Sequence, residues 1–149
     1  MAVLITDNQK TRTISPEKVQ KTAQRLLDAL GSPDGELSVL IVDDAEIAEY
    51  NRTYLNREGP TNVIAFPMRE GEFSELTPYL LGDVVISADT AGREGEAAGI
   101  STAERFDQLL VHGILHLFGY DHEQEAAEAA RMESKSEELL ALITGARRD

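Results

Sequence analysis

The chain has 149 residues, of which 42% are hydrophobic and 28% charged, proportions typical of one soluble globular domain. Its formal net charge of -13 argues against broad electrostatic attraction to nucleic acid or to anionic membranes. The absence of cysteine excludes disulfides and thiolate metal sites and suits a reducing cytosol, and no apolar run approaches the ~20 residues that span a bilayer. The first residues, MAVLITDNQK, lack the pattern of a secretory signal, so we expect none.

The first half of the chain alternates short apolar segments with amphipathic ones. In chain order we predict a strand at Ala2–Thr6, a helix between Ser15 and Gly31, a strand at Glu36–Val42, a helix that Asp43 or Asp44 caps and that carries residues to Leu55, and a strand at Thr61–Phe66. Ser15 before Pro16 is typical of a helix start, and Gly31 of a helix end. Pro67 is expected to stop the third strand.

The second half contains one more strand and three more helices. After an acidic loop at 68–79 we predict a strand at Gly82–Ser87, a helix at Ala88–Ala98, a helix from Ser101 to about Phe118 and a last helix from about Gln124 to Leu142. Ser101 and Glu104 form the S-x-x-E pattern of a capping box. The mixed order predicts one α+β domain over residues 1–149, in which a mixed four-stranded sheet packs against about five helices.

All three histidines of the chain lie in one window of eleven residues, His112 to His122. His112 and His116 are four residues apart on a predicted helix, so they lie about 40° apart on one face. Gly119 ends that helix and lets His122 turn back toward them. A single histidine is more often a core or surface residue than a ligand. Three with this spacing predict a site for one Zn²⁺ per chain with an open fourth position, although imidazole also binds nickel and iron.

The residue after the first histidine separates two kinds of hydrolase. The spacing H-x-x-x-H-x-x-G-x-x-H is that of metzincin proteases, so the predicted zinc site is metzincin-like. Those enzymes carry their general base, a glutamate, where this chain has Gly113. Met132 lies in a strongly helical context and is expected in the core rather than in a Met-turn. A peptidase built on this site would lack its base.

Three blocks of the sequence closely resemble the YbeY family of bacterial rRNA maturation factors. They are HGILHLFGYDH at 112–122, PTNVIAFP at 60–67 and LGDVVIS at 81–87, and the resemblance extends over roughly residues 36 to 143. It implies a single-domain α+β protein with a three-histidine zinc site. It also implies a metal-dependent, single-strand-specific endoribonuclease of rRNA processing, especially at the 3′ end of small-subunit rRNA, and of ribosome quality control.

Arginines near the first of these blocks along the chain are candidates for contact with an RNA phosphate. The family commonly has arginine directly after the tyrosine of the helix before the first block, but here Leu55 follows Tyr54. We therefore choose Arg57 as the phosphate contact because arginine holds two phosphate oxygens at once, with Arg52 and Arg69 in reserve. Each of these arginines taken alone is more often a solvated surface charge.

Two aspartates are candidate bases or supports for the metal ligands. They are Asp83 in LGDVVIS and Asp121 in YDH. Asp83 could equally cap a strand, and Asp121 could be a turn or helix-cap residue.

Two other functions stay open at this point. One is a metallopeptidase-like or other zinc hydrolase whose base comes from elsewhere. The other is a ribosome assembly factor in which zinc only braces the fold. For the favoured function we expect single-stranded RNA, rRNA, the ribosome and its proteins or assembly factors as partners, a cytoplasmic location and no membrane association.

Overall fold

A four-stranded mixed sheet lies at the centre of the molecule. The computed structural model describes residues 3–68, 79–120 and 126–148, with side chains as far as Thr144. In these ranges the elements are β1 (Val3–Asp7), α1 (Pro16–Ala29), β2 (Glu36–Val42), α2 (Asp44–Leu55), β3 (Val63–Pro67), β4 (Leu80–Ser87), α3 (Ala88–Ala98), α4 (Thr102–Leu117) and α5 (Ala126–Arg148). The predicted α+β class, with four strands and five helices, is confirmed; most of the predicted 68–79 loop lies outside the described residues.

The strand order is β1-β2-β4-β3, in which β1, β2 and β4 run parallel and β3 runs antiparallel to β4. β3 ends at Pro67, as predicted, although Pro67 itself is the last strand residue and pairs with Gly82. An edge strand tolerates proline, which has no N–H to donate to a neighbour. β3 is such an edge strand, and the missing donor therefore costs the sheet little.

An irregularity at the start of β4 decides which way its side chains face. Glu36 pairs with Leu80 but Leu37 pairs with Gly82, so Leu81 is an extra residue in β4. Side chains normally alternate between the two faces of a sheet, and one extra residue reverses that alternation. Leu81 and Val84 consequently lie in the same core although they are three residues apart.

Two hydrophobic cores cover the two faces of the sheet. The main core joins the sheet to α1, α3, α4 and α5, and a smaller one joins α2 to the opposite face through Ile47, Val85 and Phe66. Met132 is buried in the main core, as predicted. None of the helices in the described part of the chain combines the length and hydropathy needed to cross a bilayer.

Several apolar residues of the helices are not buried. Tyr54 and Leu55 are exposed at 64% and 42%. They lie at the C-terminal end of α2, where the ring of Tyr54 still contacts Phe66. Ala127 and Ala130 of α5 are exposed as well, because α5 packs through Met132 instead.

The helix ends follow the local sequence. Ser15 and Ser101 accept hydrogen bonds from the backbone N–H groups of Lys18 and Glu104, which satisfies donors that the first helical turn leaves free. Gly31 follows α1 with φ 78°, a left-handed conformation that glycine adopts without strain. These are the caps that the sequence predicts.

The N-termini of α2 and α3 share one polar cluster around Asp44. The hydroxyls of Ser87 and Thr90 donate to its Oδ1 at 2.6 and 2.7 Å, and Arg93 lies 2.7 Å from its Oδ2. The backbone N–H of Asp44 donates in turn to Asp89. Burial alone would raise the pKa of the Asp44 carboxyl. The hydrogen bonds of Ser87 and Thr90 and the charge of Arg93 outweigh burial, so that this pKa lies below its usual value.

Asp44→Asn should therefore destabilise the protein in a pH-dependent way. A carboxyl whose pKa is lower in the folded state stabilises the fold above its unfolded pKa of about 3.9. That contribution disappears as the pH falls through the folded pKa. Urea unfolding from pH 3 to 8 should show a stability difference between wild type and variant that is constant near pH 7 and shrinks below about pH 4. A difference independent of pH would contradict this, and Asp34→Asn at an exposed turn is the control.

Candidate metal centre

His112 and His116 project from the C-terminal half of α4 and their ring nitrogens converge. Their Nε2 atoms are 3.1 Å apart, and the ring planes are inclined at 73°. Both side chains are partly buried. The four-residue helical spacing places one ring a turn above the other, as the sequence predicts.

The distance between the two nitrogens fits a shared zinc ion. Zn–N bonds are about 2.0–2.1 Å long, so two nitrogens of a tetrahedral site lie roughly 3.3 Å apart. No group of three His, Cys, Asp or Glu side chains within residues 3–68, 79–120 and 126–144 is placed to hold a metal. The predicted third ligand His122 and its neighbour Asp121 lie outside the described residues, as does Arg69.

The chain reverses directly after the two histidines. α4 ends at Leu117, Phe118 is its C-cap residue, and Gly119 adopts φ 93°. The N–H of Gly119 donates to the carbonyl of His116, and the N–H of Tyr120 donates to that of Leu115. This pair of bonds is a Schellman motif, which favours glycine. The predicted role of Gly119 as the residue that ends the helix is confirmed.

Gly113 allows α4 to lie unusually close to the sheet. A Cβ atom at this position would lie 2.6 Å from Val84 Cγ1 and 3.2 Å from Val63 Cγ2. Both distances are shorter than ordinary contacts, so any side chain here would push α4 away from β3 and β4. The glycine is therefore explained by packing, which the sequence alone does not reveal.

A groove of about 270 Å³ adjoins His112. It is lined by residues of α4, α5 and the start of β3: Asn62, Val63, Arg105, Gln108, Leu109, His112, Ser136 and Leu140. Arg105, Gln108, His112 and His116 are spaced three, four and four residues apart, which places them in one stripe along α4. We call this groove with its stripe the α4 groove.

Arg105 and Gln108 were not identified from the sequence as members of the polar stripe, although their spacing indicates it. Arg105 and Gln108 interrupt a strongly apolar helix on the same face as the two histidines. Polar residues at this spacing indicate a face that is exposed or lines a site. Asn62 could not have been found in this way, because only the sheet topology brings the start of β3 beside α4.

Asp83, by contrast, is not brought to the histidines. It alternates with Val84, whose side chain faces Gly113, and so it lies on the opposite face of the sheet, toward α2. Its charge is one of the factors that raise the pKa of Tyr50 on α2, after burial and the charges of Glu46 and Tyr54. Burial also raises the pKa of Asp83 itself.

Arg57 lies just beyond α2, in the segment that leads to Asn62 of the α4 groove. Its side chain is exposed and forms no ion pair with any described residue, whereas Arg52 pairs with Glu49 at 2.6 Å. Buried Asn51 braces this segment. Its carbonyl accepts from the N–H of Arg57 and its amide donates to the carbonyl of Gly59 at 2.9 Å.

Comparison with known proteins gives consistent matches over nearly the whole chain. A family model described as Endoribonuclease YbeY matches residues 4–144. Curated relatives with this name include proteins of Geobacter sulfurreducens and Geobacter metallireducens, which are 53% and 52% identical over 144 residues and 96% of each chain. Another from Aquifex aeolicus is 44% identical over 137 residues, 92% of this chain and 89% of its own.

A solved structure has the same fold. The solution structure of TM1509 from Thermotoga maritima matches with a TM-score of 0.66 and covers 98% of this chain and 91% of its own. At 22% sequence identity, this likeness concerns the fold alone.

The contact at Gly113 gives a stability prediction. Alanine is more favourable than glycine in a helix by about 1 kcal/mol, so a Gly→Ala change at an uncrowded helix position would stabilise the protein. Here we expect a net loss of about 1–3 kcal/mol because the new methyl overlaps buried Val84. In urea unfolding, the double variant with Val84→Ala should lose less than the sum of the two single variants. Additive losses would show that this contact does not limit the approach of α4.

Proposed function

The chain belongs to the YbeY family, and on that premise we propose that it is a metal-dependent endoribonuclease that cleaves single-stranded RNA. We assign it to rRNA maturation, at the 3′ end of small-subunit rRNA, and to ribosome quality control. The observation that carries the proposal is the pair of Nε2 atoms 3.1 Å apart, inside the sequence that resembles the family signature. The relatives' shared name, Endoribonuclease YbeY, supports the reaction class.

His112 and His116, joined by His122, would hold one Zn²⁺ per chain. When bound, the ion supplies Lewis acidity at a phosphate oxygen of the RNA. The two described histidines act as neutral imidazole donors from one helix face, and the rigidity of α4 fixes their separation.

The packing of Gly113 supports cleavage of phosphodiesters rather than peptides. Proteases with this histidine spacing carry a glutamate base at the corresponding position. A glutamate in place of Gly113 would meet Val84 and Val63 of the sheet. The metallopeptidase alternative thus lacks both the residue and the space for it, and any base would have to come from another element.

The remaining roles are still predictions. Arg57 is our candidate phosphate contact, since it is exposed and free of ion pairs with the described residues. Asp121 stays a candidate base or support for the ligands because it adjoins His122. Asp83 is the weakest of the three because its side chain faces away from Gly113 and α4. Ribosomal proteins and assembly factors are the further partners we propose, in the cytoplasm.

The decisive experiment combines metal content with RNA cleavage. Protein purified without added metal should contain about one zinc ion per chain by elemental analysis. Chelation, or His116→Ala, should lower cleavage of a single-stranded RNA at least about 100-fold, because either change removes the Lewis acid. Arg25→Ala, at an exposed position on α1, is the control and should leave cleavage unchanged.

Three outcomes would contradict the proposal. Cleavage that survives both chelation and His116→Ala would belong to a contaminant. Zinc-dependent turnover of a peptide library would favour the metallopeptidase. A steep fall in melting temperature on metal removal, with ribosome association that survives His116→Ala and no RNA cleavage by the wild type, would favour an assembly factor with a structural zinc.

A further inference from the structure

The α4 groove contains the guanidinium group of Arg105, which is held in place by two hydrogen bonds and has further donors unused. Arg105 donates through Nε to Glu94 at 3.0 Å and through NH1 to Gln108 at 2.7 Å. A guanidinium has five N–H donors, so these two bonds leave three unused. Within the described residues, NH2 has no partner. The side chain is thus oriented by two bonds, while the rest of its fork can still bind an anion.

The rest of the groove suits a nucleotide. Val63, Leu109 and Leu140 provide apolar walls, whereas Asn62, Gln108 and Ser136 offer hydrogen-bonding groups. Its volume of about 270 Å³ is slightly below the usual range for small-ligand pockets, which begins at about 300 Å³, so it has room for one nucleotide at most. Apolar walls with a few polar groups and one cation are the features expected where a base, a sugar and a phosphate are bound together.

The groove is continuous with the metal centre. His112 lines it, and Arg105 is seven residues before His112 on the same helix. Seven residues correspond to about 10.5 Å along the axis and bring Arg105 back to the same face. An anion bound to Arg105 and an anion bound at the histidines would therefore be two separate groups. Both would lie along the same face of α4.

From this geometry we infer that the α4 groove binds the nucleotide next to the cleaved bond of a single-stranded RNA, with Arg105 holding its phosphate. The inference rests on the proposed function and adds where the strand lies.

Substitution of Glu94 distinguishes phosphate binding by Arg105 from a purely structural role of that arginine. It pairs with Arg105 and also accepts from Asn62 at 3.2 and 3.3 Å. If Arg105 binds phosphate, Glu94 competes with the RNA for it. Removing the negative charge should then strengthen RNA binding. If Arg105 only braces α4 against α3, loss of either partner should have the same effect.

The test measures binding of a 2′-O-methylated single-stranded oligonucleotide to the intact protein by fluorescence anisotropy at several salt concentrations. Arg105→Gln should raise the Kd about 10-fold and make the slope of log K against log salt less negative by about 0.7, the value for one phosphate contact on a single strand. Glu94→Gln should lower the Kd about two- to fivefold. Melting temperatures of all variants are recorded in parallel.

Arg12→Gln is the matched control. Arg12 also pairs with a glutamate of α3, Glu96 at 3.3 Å, and is similarly exposed, but it does not line the groove. It should change the Kd less than twofold. An Arg105→Gln Kd equal to that of wild type, weaker binding in both Arg105→Gln and Glu94→Gln, or no binding by wild type would each overturn the inference. The cleavage assay with His116→Ala is a separate readout, so the proposed function can stand when this inference fails.

Discussion

The contact between Gly113 and the two valines of the sheet determines where everything else in the site can lie. Because Gly113 has no side chain, the backbone of α4 packs directly on the side chains of Val84 and Val63, and the helix lies close to β3 and β4. The side chains on the face of α4 that points to the sheet are buried in the main core. His112 and His116 therefore project from the side of the helix, where they are only partly buried. The same close approach brings the start of β3, with Asn62, beside that flank and so forms one wall of the α4 groove.

Features set by neighbouring residues could be predicted from the sequence. Ser15 and Ser101 cap helices because their hydroxyls reach N–H groups three residues ahead, and Gly119 ends α4 because a left-handed residue is needed there. The facing pair of histidines follows from helical geometry alone. For these elements the interaction is local, and the chain segment contains all the information about it.

Features that depend on distant partners could not be predicted in this way. Simple alternation along β4 places Asp83 on the same face as buried Leu81, but the extra residue in β4 turns Asp83 to the other face. The reason for Gly113 likewise becomes visible only when Val84 is opposite it. Arg105 is an intermediate case: its place in the polar stripe could be read from the sequence, whereas its bond to Glu94 required the packing of α3 on α4.

The direction in which α4 runs determines the sign of the backbone charge beside the histidines. Peptide dipoles add up along a helix, so its C-terminal turn carries a partial negative charge. His116 lies in that turn. The backbone therefore favours a cation there and disfavours a phosphate. Under the proposed function, a metal ion held by the histidines would offset this negative charge, so that binding of the metal and binding of the RNA phosphate would strengthen each other.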